Sequence, residues 1–247
     1  MKNLLQFFLG FIGYNIIKSK NFRRINRTLD HAIKYLLNKN DPIIIDVGAH
    51  KGESILRFCK LFKNPKIHSF EPQLESFQKL EKIQQGKDNL YINNFGLGSK
   101  IENKEIYINS NTAASSYLNL NNKSKYFRSL KTVNKQNTKI NTLDNYLIEK
   151  KINFIDLIKI DVQGFENDVL NGALKSLNKV HLIEIEIVFV NLYEKYNSFY
   201  QIEKILNDYN FELYSLSSIT LNRKNDRIRN LDALYYNTKI NKEINYE

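Results

Sequence analysis

Along this chain the apolar positions change period repeatedly, and each change marks an element. From Pro42 onward, short β-branched runs alternate with stretches whose apolar residues recur every three or four positions, the pattern of βαβ units. Ile43-Ile44-Ile45-Asp46-Val47 is apolar on both sides and suits a strand inside a parallel sheet. A helix follows, with Ile55, Phe58, Cys59 and Phe62 on one face. Pro65 precedes a second strand, Lys66 to Phe70, which stops at Glu71-Pro72; Leu74, Phe77, Leu80 and Ile83 mark the next helix. A third strand fits Leu90 to Phe95 and a fourth Ile155 to Val162. Phe165, Val169, Ala173 and Leu177, each four apart, give the next helix one apolar face. His181 to Val190 predicts strand five, Tyr200 to Tyr209 a helix, Phe211 to Leu216 strand six and Asp232 to Tyr236 strand seven. Between these halves, residues 98 to 141 are rich in Ser, Asn and Lys and predict an insertion or long loop with one strand at Glu105 to Asn109; Leu143 to Glu149 reads as a short helix. The expected fold is α/β: a seven-stranded, mostly parallel, doubly wound sheet with antiparallel pairing near its end.

The first forty residues differ. Leu4 to Ile17 is apolar but interrupted, too short to span a bilayer, and runs into Lys18, Lys20, Arg23, Arg24 and Arg27. No small-x-small cleavage site follows, so the segment reads as uncleaved. Such a composition suits peripheral contact of residues 1–27 with an anionic membrane; the alternative is a first helix docked on its own domain. Arg23 to Asn38, with Ile25, Leu29, Ile33 and Leu36 suitably spaced, predicts an amphipathic helix. The chain therefore divides into a basic and apolar helical extension, 1–40, and an α/β domain, 41–247.

Charge sharpens this division. The net +11 comes from +7 in residues 1–40 and +6 in residues 106–143, leaving the rest at −2. A body that gripped nucleic acid would spread its cations more widely, so a local anionic partner such as lipid headgroups or an acidic glycan is at least as well supported. A single cysteine, Cys59, excludes an intramolecular disulfide and a multi-cysteine zinc site and favours a reducing, cytoplasmic setting, with the inner membrane face as the place of any peripheral contact.

In open α/β sheets ligands bind beyond the carboxyl ends of the strands. Strand one ends in Asp46-Val47-Gly48-Ala49-His50-Lys51-Gly52, where Gly48 permits a turn and Gly52 lets backbone approach a ligand while opening a helix. G-x-G-x-x-G is missing, as is a Walker Lys-Ser/Thr, which disfavours NAD and ATP. Glu71, ending strand two, can accept both hydrogen bonds of a ribose diol. Loop and acid together point to a nucleoside without pyrophosphate and carrying positive charge, for which S-adenosyl-L-methionine fits. Strand four ends in Lys159-Ile160-Asp161-Val162-Gln163-Gly164-Phe165-Glu166, and strand five adds Glu184 and Glu186 on one face. Asp161, Glu166, Glu184 and Glu186 could meet there; one could accept a hydroxyl proton, or the set could hold a divalent metal. His50 is a further candidate base, with a turn role the stronger reading. Cys59, His68 and His181 read as structural.

These segments, with Phe70-Glu71-Pro72, Asn94-Phe95-Gly96-Leu97-Gly98, Ser115-Ser116, Thr142-Leu143-Asp144, the continuation Asn167-Asp168-Val169-Leu170-Asn171-Gly172-Ala173, and Glu186 followed by Leu192-Tyr193-Glu194, resemble the FkbM family of S-adenosylmethionine-dependent methyltransferases over roughly residues 41–236. The resemblance implies a Rossmann-like class I methyltransferase fold and, commonly, O-methylation of a sugar or natural-product hydroxyl. It places Asp46, Gly48, Ala49, His50 and Gly52 at the cofactor loop, Glu71 and Pro72 at the ribose, Asn94, Phe95 and Gly96 at the adenine wall, and Asp161 at the methyl-transfer edge. Gln163 stands where many relatives carry Glu, which removes one metal ligand and leaves the divalent metal unsupported.

The expected activity is transfer of a methyl from S-adenosyl-L-methionine to a sugar hydroxyl of a polysaccharide or glycolipid, with Asp161, Glu166 and Glu186 as the catalytic set. The cationic loop from Lys123 to Lys139 would bound the acceptor pocket. Two rivals are an RNA methyltransferase and a catalytically inactive, membrane-associated interaction module that has kept the fold.

Overall fold

The computed structural model describes residues 28–122, 124, 130–194, 199–222 and 225–241. The apolar run Leu4 to Ile17, its basic flank and much of the Lys123 to Lys139 loop lie outside the described residues.

One sheet organises the molecule. Its parallel strands are β1 (Ile43–Val47), β2 (Lys66–Phe70), β3 (Leu90–Asn93), β7 (Ile155–Ile160) and β8 (Val180–Val188). At the far side β10 (Ile228–Asn237) runs antiparallel between β8 and β9 (Phe211–Leu221). The order is β3-β2-β1-β7-β8-β10-β9, so the winding reverses between β1 and β7, the switch point where ligands are expected.

Helices cover both faces. On one lie α1 (Leu29–Leu37), α2 (Glu53–Leu61) and α3 (Leu74–Gln84), whose Ile33, Phe58 and Leu80 pack on Ile44, Leu157, Leu182 and Leu234. On the other lie α4 (Leu143–Lys150), α5 (Glu166–Asn171) and α6 (Phe199–Asp208), whose Tyr146, Val169 and Leu206 pack on Ile45, Ile158, Ile185 and Tyr235. Each fully buried Ile or Leu in these layers contributes about 1.5–3 kcal/mol of transfer free energy, on both faces of the strands. Helix α1 is also tied to the sheet by charge: the Arg57 guanidinium binds Asp30 at 2.6 Å and Glu184 at 2.6 and 3.0 Å.

The seven predicted strands are all present, but the insertion is more regular than a long loop. Besides β5 (Glu102–Asn109), it contains β6 (Thr132–Asn141), and the two join β4 (Gly96–Leu97), just before it, in a second sheet of order β4-β6-β5. β6 is polar along most of its length and buries only Thr138 and Ile140, so apolar periodicity could not mark it. Ile106, Tyr117 and Ile140 meet Phe165 in a small core that fastens this sheet to the turn after β7. Helix α5 is also shorter than its period suggested: it stops at Asn171, although Phe165, Val169, Ala173 and Leu177 are all buried.

Candidate active site

A cavity of about 320 Å³ opens at the carboxyl ends of β2, β1 and β7. Gly48, Ala49, His50, Glu71, Pro72, Gly96 and Asp161, all singled out from the sequence, line it together with Thr112, Ala113 and Tyr117. Adjacent strands lie about 4.8 Å apart, so Glu71 and Asp161, flanking β1 on either side, stand on the order of 10 Å from each other.

The glycine turn is shaped by contact with β7. At Gly48 φ is +83°, and a Cβ there would lie 2.0 Å from the Asp161 carbonyl oxygen; glycine is required on both counts. The Gly48 and Ala49 N–H groups donate to the Phe70 carbonyl at 3.0 and 3.2 Å, and His50 N–H donates to Glu71 Oε2 at 2.8 Å. These amides therefore lock the turn onto β2 instead of facing a ligand. The His50 ring joins two sides of the cavity lining, with Nε2 2.9 Å from Thr112 Oγ1, and burial lowers its affinity for a proton. Gly52 does not line the cavity: a Cβ would lie 2.5 Å from Ile83 Cδ1, so this glycine lets α2 pack on α3.

Glu71 is buried, and burial pushes its pKa up to about 7 against the pull of two backbone donors, Gln73 and His50. A carboxylate offers about four acceptor sites, so these two donors, one on each oxygen at 2.8 Å, leave one site on each for a diol. Asn94 does not enter the cavity; its Nδ2 donates to the Glu71 carbonyl at 2.9 Å and so holds the acid's backbone. Phe95 also lies outside, packed edge-on against Phe70. Of the predicted adenine wall only Gly96 reaches the cavity, where Leu97, Ile106 and Tyr117 supply the apolar surface.

Asp46 lies outside the cavity lining and fully buried, its Oδ2 accepting from Ser54 at 2.6 Å and Ser69 at 3.3 Å. Burial raises its pKa although Lys159 Nζ sits 4.0 Å away. Asp161, with its side chain 37% exposed, faces the cavity. Burial would raise its pKa, but Lys159 at 3.3 Å and the Gln163 amide at 2.8 Å bring it below the usual carboxylate range.

The four carboxylates do not converge as the sequence suggested. Glu184 turns to Arg57. Glu166 lies beneath the turn after β7, its Oε1 accepting from Gly164 N–H at 3.0 Å and Val162 N–H at 3.3 Å; burial raises its pKa to about 7. It anchors the turn and is not among the residues that line the site cavity. Only Glu186 meets Asp161, as a carboxyl that burial and the Asp161 charge hold toward its protonated form, and Gln163 joins the two, its Nε2 2.7 Å from Glu186 Oε2. Among the described residues no three His, Cys, Asp or Glu side chains are grouped to hold a metal ion.

A sheet with this strand order, a glycine turn at its switch point and an acid closing the neighbouring strand defines a class I methyltransferase. Residues 46–213 match the methyltransferase FkbM domain, so the chain belongs to that family and is an S-adenosylmethionine-dependent methyltransferase. A relative, the 2-O-methyltransferase NoeI of Sinorhizobium fredii (strain NBRC 101917 / NGR234), is 24% identical over 166 residues, covering 64% of this chain and 68% of its own. Among solved structures, an rRNA methylase from Streptococcus thermophilus is 14% identical, with TM-score 0.47, over 86% of this chain and 98% of its own. A SAM-dependent methyltransferase from Aquifex aeolicus is 13% identical, with TM-score 0.46, over 90% of this chain and all of its own, 100%.

Sequence reasoning missed the roof of the site. Thr112, Ala113 and Tyr117 follow β5 and reach the cavity through tertiary pairing, Tyr107 with Ser116, that no local period announces. Ser115-Ser116 was the available signal, and both residues line the cavity.

Proposed function

We propose that the chain methylates a hydroxyl oxygen of a sugar in a polysaccharide or glycolipid. The observation that carries this reading is one partly exposed carboxylate, Asp161, facing a cavity whose far strand ends in Glu71. The donor set fits S-adenosyl-L-methionine: Glu71 has acceptor sites to spare for the ribose diol, Tyr117, Leu97 and Ile106 give an apolar wall for a base, and Asp161 complements positive charge. When bound, that cofactor supplies a methyl on a cationic sulfur. Asp161 keeps its charge through Lys159 and Gln163 and stands ready to accept the hydroxyl proton. A low-pKa carboxylate suffices for this, because an alcohol oxygen gaining a third bond becomes strongly acidic as the methyl arrives. Positioning within the roofed cavity contributes the larger share.

The Sinorhizobium relative is named a 2-O-methyltransferase, which supports an oxygen acceptor. A polar cleft lined by Asn119, Asn122, Lys131, Thr132 and Glu194 supports a polyhydroxylated one; it adjoins Tyr193, whose hydroxyl lies 3.3 Å from Gln163 Oε1. RNA is less well supported. Of the insertion's cations, Lys135 is paired with Glu105 at 3.2 Å and sits over Tyr107. Peripheral membrane contact through residues 1–27 falls outside the described residues, among which no helix is long and apolar enough to cross a membrane. The test is transfer of labelled methyl to glycan, glycolipid and RNA fractions, with and without chelator. Label in a carbohydrate hydroxyl supports the reading, and label confined to RNA overturns it.

A further inference from the structure

We propose that Gln163 is the positioning residue of the transfer centre, its amide standing between Asp161 and Glu186 as a neutral two-proton bridge. A primary amide carries two N–H donors. Here one nitrogen serves both carboxylates, 2.8 Å from Asp161 Oδ1 and 2.7 Å from Glu186 Oε2. The amide nitrogen faces the carboxylates because the amide oxygen in its place would meet the Asp161 carboxylate; that oxygen lies 3.3 Å from the Tyr193 hydroxyl, whose proton goes to the Ala114 carbonyl at 2.7 Å.

The backbone is fixed as firmly as the side chain. Gln163 has φ +56°, in the left-handed region uncommon for a residue with a Cβ, and its carbonyl accepts from Ser116 Oγ at 2.8 Å. The outer oxygens of the pair are satisfied too: Lys159 Nζ lies 3.3 Å from Asp161 Oδ2, and Asn230 Nδ2 lies 2.7 Å from Glu186 Oε1. A continuous chain, Lys159–Asp161–Gln163–Glu186–Asn230, thus crosses β7, the turn after it, β8 and β10. Two neighbouring carboxylates ordinarily need a shared proton or a cation between them. Burial and the charge of Asp161 hold Glu186 toward its protonated form and Lys159 faces Asp161; Gln163 adds uncharged donors to both carboxyls and so fixes Asp161 in its place at the cavity.

The consequence for catalysis rests on the methyl-transfer reading; the geometry does not. The charged and titratable groups around Asp161 are Lys159 on its own strand, Asp46 on β1, Glu184 and Glu186 on β8, Asp232 on β10, Glu166 on α5, His50 in the glycine turn and Tyr193. Donation to a carboxylate favours its anion, so removing the donor must raise the midpoint of Asp161.

The test is carboxyl titration by 13C NMR in the full chain carrying Gln163→Met, near-isosteric but without donors, with resonances assigned through Asp161→Asn and Glu186→Gln. The Asp161 midpoint is expected to rise by about one pH unit or more, and the acid limb of the rate profile to move the same way while cofactor Kd changes less than about threefold. A folded variant whose Asp161 midpoint stays within about 0.3 unit of the parent overturns the proposal. Gln163→Glu, which keeps the volume and replaces donors by charge, carries the same readout with a larger rise and serves if the methionine variant does not fold. Titration needs neither cofactor nor acceptor, so a chain that titrates as expected but transfers no methyl overturns the functional reading alone.

Discussion

The two faces of the main sheet part company as the strands approach their carboxyl edge. On the face under α4, α5 and α6, Ile45 and Val47, Ile158 and Ile160, and Ile183, Ile185 and Ile187 stay apolar to the end. On the face under α1 and α2, each strand begins apolar and turns polar: Ile44 gives way to Asp46, Leu157 to Lys159, and Leu182 to Glu184 and then Glu186. β10, running the other way, mirrors the change from Leu234 to Asp232. Laterally these residues form a row in register, Ser69–Asp46–Lys159–Glu184, in which charges alternate. Burial costs each ion solvation, and the alternation offsets part of it. The same five strands therefore hold the molecule together on one side and prepare a charged floor for chemistry on the other.

This contrast can be broken experimentally. The largest effect is expected on the charged face: Asp161→Asn should lower kcat by about 10²–10⁴-fold while the melting temperature barely moves, and retained turnover would remove Asp161 from the chemistry. On the apolar face Ile185→Ala should do the opposite, costing about 2–5 kcal/mol in chemical denaturation while the folded fraction keeps its kcat.

Two smaller effects sharpen the comparison. Glu71 binds a diol best as the anion and has a pKa of about 7, so cofactor affinity in the parent should fall roughly tenfold between pH 7.5 and 6; Glu71→Gln should show weak binding without that slope. Glu166→Gln should leave kcat within about threefold, because the amide oxygen can still accept from Gly164 and Val162. The folded pKa of Glu166, about 7, lies above the unfolded value, so its contribution to stability is present in acid and lost as pH rises through 7. Thermal melts of Glu166→Gln should accordingly decline less between pH 5 and 8 than those of the parent.

Much of this was legible beforehand wherever a residue's job is local. The strand runs, the glycine turn and Glu71 are written in consecutive positions, because buried parallel strands need unbroken β-branched runs and a tight turn needs Gly48. Residues whose role depends on distant partners were not legible. Glu184 and Glu186 sit two apart on one strand with identical chemistry, yet Arg57, 127 residues from Glu184, claims one of them and Gln163 the other. Glu166 looks catalytic until its carboxylate is seen capping the Gly164 amide. The polar strand β6 and the roof it supports rest on pairing with β5, which periodicity does not encode.

Calorimetric titration of the folded full chain with S-adenosyl-L-methionine at pH 8 tests the Glu71 site most directly. Saturable one-to-one binding is expected, weakened about tenfold in Glu71→Gln by the loss of one charge-assisted pair of hydrogen bonds. Absence of binding in the folded parent, or equal affinity in the two proteins, would contradict it.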